Sequence, residues 1–446
     1  MTILTMITHP TLIHGKAVAF ATALLMLVVQ GHAQDMATLT DTLTVDNAVA
    51  IALQNHFAIK AAQANVVSAE AGKRVVVSTY LPAIGFSASS VHTEGTFVFN
   101  PSIASKYQIY SNYTAGLTAS QLIYDFGKTT NRISANTDFV TASKEDFRTA
   151  RDNVITNVEV AFLTYLEDQD VVKVTLETIA QAESHLKSAK AFYSVGTRPL
   201  LDVTRSEVDL ANANVASIRA KNQMEVARLQ LENAMGIHPD HPYVVYAAVT
   251  MPPMTITLDS ARSQARSNRP DILAAQSRYD ALSSLASSAW DQHLPTLSAN
   301  GTWNWSGFDV TLYGRWSAGL TFSFPIFQGF GISAAAQQAS ANAEAQQAAL
   351  VLTIENALLD VEQNYLAVNE ANERYGASVK LVEEAEASLT LAEKQYSAGV
   401  GTLLDVTDAQ VLRANARITQ IQALYDYNNS LVRLKMAMGA MSSDQY

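Results

Sequence analysis

Tyr193-Ser-Val-Gly196 followed by Leu200-Leu201-Asp202-Val203 returns 203 residues later as Tyr396-Ser-Ala-Gly399 followed by Leu403-Leu404-Asp405-Val406. Met235-Gly236 and Met438-Gly439 repeat at the same offset. Upstream, Asn55 pairs with Asn268 and Leu81-Pro82 with Leu294-Pro295 at an offset of 213, so the first copy is the longer one. A duplicated unit of this size is not a short-period solenoid. It predicts two structurally equivalent halves: a first repeat over 34–239, a connector over 240–256 and a second repeat over 257–446.

The quoted motifs punctuate very long helices. Between Gly127 and Gly196 there is neither Gly nor Pro, and between Gly331 and Gly399 only Gly376 intervenes. Ordinary globular helices rarely exceed about 25 residues, so tracts of this length read as coiled coil. From Ile354 a 4-3 spacing gives Leu358, Val361, Tyr365, Val368, Tyr375, Val379, Val382, Leu389 and Tyr396, with polar exceptions at Asn372, Glu386 and Glu393. The first half follows with Ile155, Val158, Phe162, Tyr165, Val172, Leu176, Ile179, Leu186 and Tyr193, and its polar exceptions recur at the equivalent positions. A shared seam predicts shared packing, and neighbouring positions are rich in Ala, Ser and Asn. Gly196 and Gly399 sit where a left-handed C-cap belongs. Return helices over about Leu200–Met235 and Leu403–Met438 then complete two helical hairpins. Shorter helices, about Asp46–Thr79 and Asp259–Gln292, with Asp46 and Asp259 as N-caps, run up to the Leu-Pro breaks.

After each Leu-Pro the period changes from 3.6 to 2. Leu297, Gly301, Trp303 and Trp305 alternate with polar residues, as do Leu312, Trp316, Leu320, Phe322 and Phe324, and as do Tyr113, Ala115, Leu117 and Ala119. Four strands are predicted, about 83–99, 107–125, 296–308 and 311–327, each with one apolar and one polar face. That is the transmembrane β-barrel pattern. Trp303, Trp305 and Trp316 form the expected interfacial aromatic belt. A soluble hairpin packed on a core is the alternative, but the helices are committed to their own seams. Four strands cannot close a barrel, and open edges are not tolerated in lipid. A homotrimer with 12 strands is the smallest sensible solution. The expected fold class is therefore mainly α with a membrane β part: a trimeric α-helical barrel of long antiparallel coiled-coil helices joined to a 12-stranded β-barrel, four strands per chain.

Residues 1–33 read as a signal peptide, with Lys16, an apolar run from Ala17 to Val29 and a small-residue cleavage site at Gly31-His32-Ala33. The run is too short to span a bilayer as a helix. No cysteine is present, which excludes disulfides and cysteine-bound metal. Net charge is −11 without basic clusters, so nucleic acid is not an expected partner. Charged residues make up 16% and apolar ones 48%, a balance that suits helices burying faces against other copies.

These duplicated turns, the Leu-Pro breaks, and Gln121-Leu-Ile-Tyr-Asp-Phe-Gly127 with its counterpart Phe324-Pro-Ile-Phe-Gln-Gly329 resemble the TolC family of outer-membrane channel-tunnel proteins over about residues 40–440. The resemblance implies an outer-membrane location with the helical part in the periplasm. It also implies a role as the exit duct for type I protein secretion or multidrug efflux. The implied partners are a periplasmic adaptor (membrane fusion protein) docking at the tips around Gly196, Pro199, Gly399 and Gly401, and an inner-membrane transporter of the ABC or RND type. The acids at Asp405 and Asp408, with Asp202 in the first repeat, would line the entrance as an acidic ring. Local chemistry offers a plainer role, since Thr402-Leu-Leu-Asp405 is a capping-box pattern. Family members carry an arginine where this chain has Gly401, and that arginine helps to hold the entrance shut. Here the equivalent first-repeat position is Arg198, with Arg205 nearby, so the closing contacts are either moved to the first repeat or weaker. Tyr193 and Tyr396 are further latch candidates.

Enzyme and cofactor motifs are missing: no Gly-x-Ser-x-Gly, Walker A or His-Glu-x-x-His. Gly399-Val-Gly401 follows a helix rather than a strand and reads as a turn. His238-Pro-Asp-His241 reads as part of the connector, not a metal pair. The expectation is a passive duct with no cofactor; a soluble periplasmic coiled-coil adaptor or structural protein is the rival.

Overall fold

The structure, a computed structural model, describes residues 42–97, 106–237, 244–245, 247, 249–308 and 312–441. The expected signal peptide, the His238–His241 pair and the sequence joining each strand pair lie outside these residues. The order is β1 (Thr42–Leu43), α1 (Val45–Asn55), α2 (Phe57–Val77), β2 (Ala83–Phe97), β3 (Lys106–Tyr124), α3 (Lys128–Ser194) and α4 (Leu200–Met235). It continues with β4 (Val244–Val245), α5 (Leu258–Asn268), α6 (Pro270–Trp290), β5 (Thr296–Phe308), β6 (Tyr313–Ser323), α7 (Gly331–Ser397) and α8 (Leu403–Ala437).

Both long helices, α3 and α7, have 67 residues, about 100 Å at 1.5 Å per residue. α4 lies back on α3, α8 lies back on α7, and α3 also packs on α8, which joins the two hairpins. The seam read from the sequence is only partly the buried one. Ile155, Val158, Phe162 and Val172, like Leu358, Val361 and Val368, are buried. Towards the turns, Leu176 and Val379 are exposed, and the small residues Thr175, Ala182 and Ala189, with Ser378, Ala385 and Ala392, take the buried positions. Their partners carry the same stripe: Ser206, Ala213 and Ala227 on α4, and Ala409, Ala416 and Ala423 on α8. Small side chains at a seven-residue period let two backbones approach closely along a left-handed supercoil.

The shorter helices differ from expectation. Each is two helices, broken at His56 and at Arg269. Thr44 and Thr257 are the N-caps, accepting from Asn47 N–H and Ser260 N–H, while Asp46 and Asp259 sit in the first turn. The breaks have a tertiary cause. Gly236 and Gly439, both in the left-handed region, end the return helices against the backbone of His56 and Arg269. A Cβ on Gly439 would stand 2.8 Å from Arg269 Cα. Arg269 fastens the joint, donating to Asp360 Oδ2 at 2.8 Å and to the carbonyl of Ala437 at 3.2 Å.

β2, β3, β5 and β6 form one antiparallel sheet in that order. β6 ends at Ser323, short of the expected 327, because Pro325 has no N–H to give a ladder. Residues directly opposite share a face. One face carries Ile84, Phe86, Leu117, Trp303, Trp316, Leu320 and Phe322; the other carries Ser87, Ser89, Thr114, Thr118, Asn300, Thr302, Ser317 and Thr321. The polar face is cross-linked by hydroxyls, Ser89 to Thr114 at 2.7 Å and Thr302 to Ser317 at 2.8 Å. A polar joint ties the sheet to the helices: buried Asp125 accepts from Thr129 N–H at 2.8 Å, and Asn131 donates to Asp291 at 2.7 Å.

Candidate functional site

Two regions carry the candidate residues: the sheet and the hairpin turns. In the sheet, Trp303 lies opposite Leu117 on one side and Trp316 on the other, and its ring centroid is 5.8 Å from that of Trp305. Trp316 is 74% exposed, and the apolar side chains around it are exposed as well. Each large apolar side chain left in water forgoes roughly 1.5–3 kcal/mol of burial, so a contiguous face of this kind belongs against an apolar medium. Among the described residues no helix is long and apolar enough to cross a membrane. The sheet is the part with a lipid-compatible face.

At the turns, α3 and α7 end through Gly196 (φ 74°) and Gly399 (φ 82°), the conformation that favours glycine as a C-cap. Val195 and Val400 stand exposed beside them. Pro199 N-caps α4, and Thr402 N-caps α8. Asp405 completes a full capping box, with Oδ2 accepting from Thr402 N–H at 2.9 Å and from Thr402 Oγ1 at 2.6 Å. Those two bonds hold its carboxyl below the usual range. Asp408 is exposed one turn on. Asp202 differs from Asp405: its helix starts at Pro199, which has no side-chain oxygen to complete a capping box, and Asp202 is buried.

The structure brings Arg198, Tyr396, Asp202 and Gly401 together. The Arg198 guanidinium donates to the carbonyls of Tyr396 and Gly401, each at 3.2 Å, and lies 4.7 Å from the centroid of the Tyr396 ring. Tyr396 is 5% exposed and stacks edge-on against Phe192 at 6.0 Å. Burial first, then the nearby Asp202 carboxylate, pushes its phenol up, with Arg198 opposing. Gly401 is tightly enclosed: a Cβ would meet Gln395 and the Tyr396 nitrogen at 3.0–3.1 Å, so a side chain there needs the turn to shift by a few tenths of an ångström. The first-repeat arginine therefore grips the second-repeat turn within one chain. Tyr193 and Arg205 are exposed and are not part of this group. Nothing in the sequence places Arg198 across from Gly401, because that contact depends on how α3 meets α8. Among the described residues, no cluster has the make-up of a metal site.

A long-helix hairpin pair carrying a two-faced membrane sheet defines an outer-membrane channel protein. The chain belongs to the outer membrane efflux protein family, which matches residues 48–237 and 261–440, one block in each repeat. It is 25% identical over 391 residues to outer membrane protein TolC of Escherichia coli (strain K12), covering 82% of this chain and 76% of that protein. It is 22% identical over 415 residues to outer membrane efflux protein BepC of Brucella suis, covering 92% and 88%. The fold is that of the Campylobacter jejuni CmeC outer membrane channel, with a TM-score of 0.80 at 21% identity over 89% of this chain and 85% of that one. The protein is thus an outer-membrane exit duct for efflux or secretion, and its family is one of channels, not enzymes.

Proposed function

We propose that three copies of this chain form the duct, receiving substrates from an inner-membrane transporter of the ABC or RND type through a periplasmic adaptor. The observation that carries this reading is the sheet. Its outer strands, β2 and β6, each have one neighbour, and one face gathers the exposed apolar side chains Ile84, Phe86, Leu117, Trp303, Trp316, Leu320 and Phe322. Unpaired edges in lipid are prohibitive, and three copies supply twelve strands. Exposed stripes at seven-residue spacing, Leu201, Val208 and Val215 on α4 and Leu352, Leu359 and Leu366 on α7, suit neighbouring copies. A soluble adaptor has no use for the apolar sheet face.

In this reading the turns at Gly196–Pro199 and Gly399–Thr402 are the periplasmic tips that meet the adaptor. Asp405 and Asp408 from three copies form the acidic entrance, and Arg198 with Tyr396 forms the latch that keeps it narrow. The deciding measurement is the mass of the purified protein in detergent. A trimer recovered from the outer-membrane fraction is expected; a monomer extracted without detergent overturns the architecture.

A further inference from the structure

We propose that the carboxylate cluster where α3 crosses α8 is a pH-responsive joint between the two helical hairpins, tightened by proton uptake and loosened by proton loss. It goes beyond the duct reading and holds whatever the duct carries.

α3 contributes Glu167, Asp168 and Asp170 within one helical turn; Asp170 is bonded to Tyr425 of α8 and Glu167 lies near Asp426 of α8. Tyr425 donates to Asp170 Oδ2 at 2.8 Å, the direct bond between the hairpins here. From α7, Arg374 donates to Asp426 Oδ2 at 2.9 Å and pairs with Glu370. Lys173 holds Asp170 at 2.8 Å. On α4, Glu225 and Arg228 face Tyr165, two residues before Glu167. These cations are already paired: Lys173 with Asp170, Arg374 with Asp426 and Glu370, and Arg228 with Glu225 and Glu232. Glu167 lies half-buried beside Asp426 and Asp168 and has no ion pair among the described residues, and Asp168 Oδ2 is buried without a partner. The described residues here do not make a metal site, so a proton is the counter-charge available.

A buried carboxyl beside like charges keeps its proton to higher pH. Glu167 is accordingly raised to about 7, by burial first and then by Asp426 and Asp168. Burial raises Asp168 and pushes the Tyr425 phenol up as well, so Tyr425 remains a donor. The sign follows. Folding raises this carboxyl above the ordinary 4.5, so the folded joint binds the proton more tightly than the open one. The stabilisation is complete in acid and is lost as pH rises from about 4.5 towards about 7. Above that, ionised Glu167 repels Asp426 across the interface that Tyr425 and Asp170 close.

The test is hydrogen–deuterium exchange of the full-length protein in detergent, corrected for intrinsic rates, read on segments 163–172 and 419–430. Wild-type protection there is expected to fall several-fold between pH 6 and pH 8. Glu167→Gln is expected to remove that dependence and stay at the acid-side level, while Asp426→Asn lessens it. Should Glu167→Gln not fold, the wild type decides alone: at pH 8 added salt should restore part of the protection, a half-buried repulsion being screened less than an exposed one, and at pH 6 it should do little. A Glu167→Gln protein with the wild-type pH dependence, or wild-type protection that neither pH nor salt moves, overturns the joint.

Discussion

Arg198 couples two turns 203 residues apart through two carbonyl acceptors and one aromatic face. A cation–π contact and hydrogen bonds from a charged donor are together worth on the order of 1–2 kcal/mol at a partly exposed site. Arg198→Ala should therefore raise single-channel conductance or open probability in planar bilayers without changing the mass of the assembly. Arg198→Lys should not rescue it, because a lysine has neither the fork nor the planar stack. Equal conductance in both variants and the wild type would leave Arg198 as an ordinary turn residue. Gly401 was legible as a departure, and Arg198 as the first-repeat candidate. Their contact was not, since it rests on the crowding of Gly401 by Gln395 and on the approach of two hairpins.

At the element scale, the duplicated Met-Gly pairs acquire a reason. They end the return helices where these meet the breaks in the short helices, and the backbones touch there. Gly439→Ala combines a left-handed residue with a collision against Arg269 backbone. It should cost about 2–4 kcal/mol, read as a lower unfolding midpoint of the intact protein. Gly399→Ala, with the same sign of φ but open space around it, should cost only about 1 kcal/mol. Equal losses at both positions would remove the packing argument. The breaks themselves were half visible. Pro270 is a favoured first helical residue, but His56-Phe57 in the first repeat carries no comparable signal. The seam was likewise readable at Val158, Phe162, Val361, Val368, Leu389 and Tyr396, and misread at Leu176, Val379 and Tyr193, where small residues such as Thr175, Ala182, Ser378 and Ala385 take the buried positions. A hydrophobic period ranks alanine low, whereas close helix packing favours it.

For the whole molecule, the entrance acids give the sharpest expectation. Three copies of Asp405 and Asp408 around a narrow opening would create a cation-attracting potential. The channel should be cation-selective and blocked by multivalent cations added on the periplasmic side. Changing both residues to Ala should abolish the block while the trimer persists; a block of unchanged strength returns both to helix-start acids. The capping box already occupies the Asp405 carboxylate, so Asp408, exposed and one turn further on, should carry most of the effect.

The sequence by itself determined the duplicated halves, the long helices with their glycine caps, and the two-faced strands. Each of these is a local matter, written in a period of 2 or 3.6 residues or in a backbone angle that favours glycine. Only the tertiary structure decided which residues meet between elements: Arg198 with Tyr396 and Gly401, Gly439 with Arg269, Tyr425 with Asp170. Such pairs depend on the axial stagger and rotation of helices about 100 Å long. A single turn of slippage keeps every local preference and changes every neighbour, so local pattern carries no record of it.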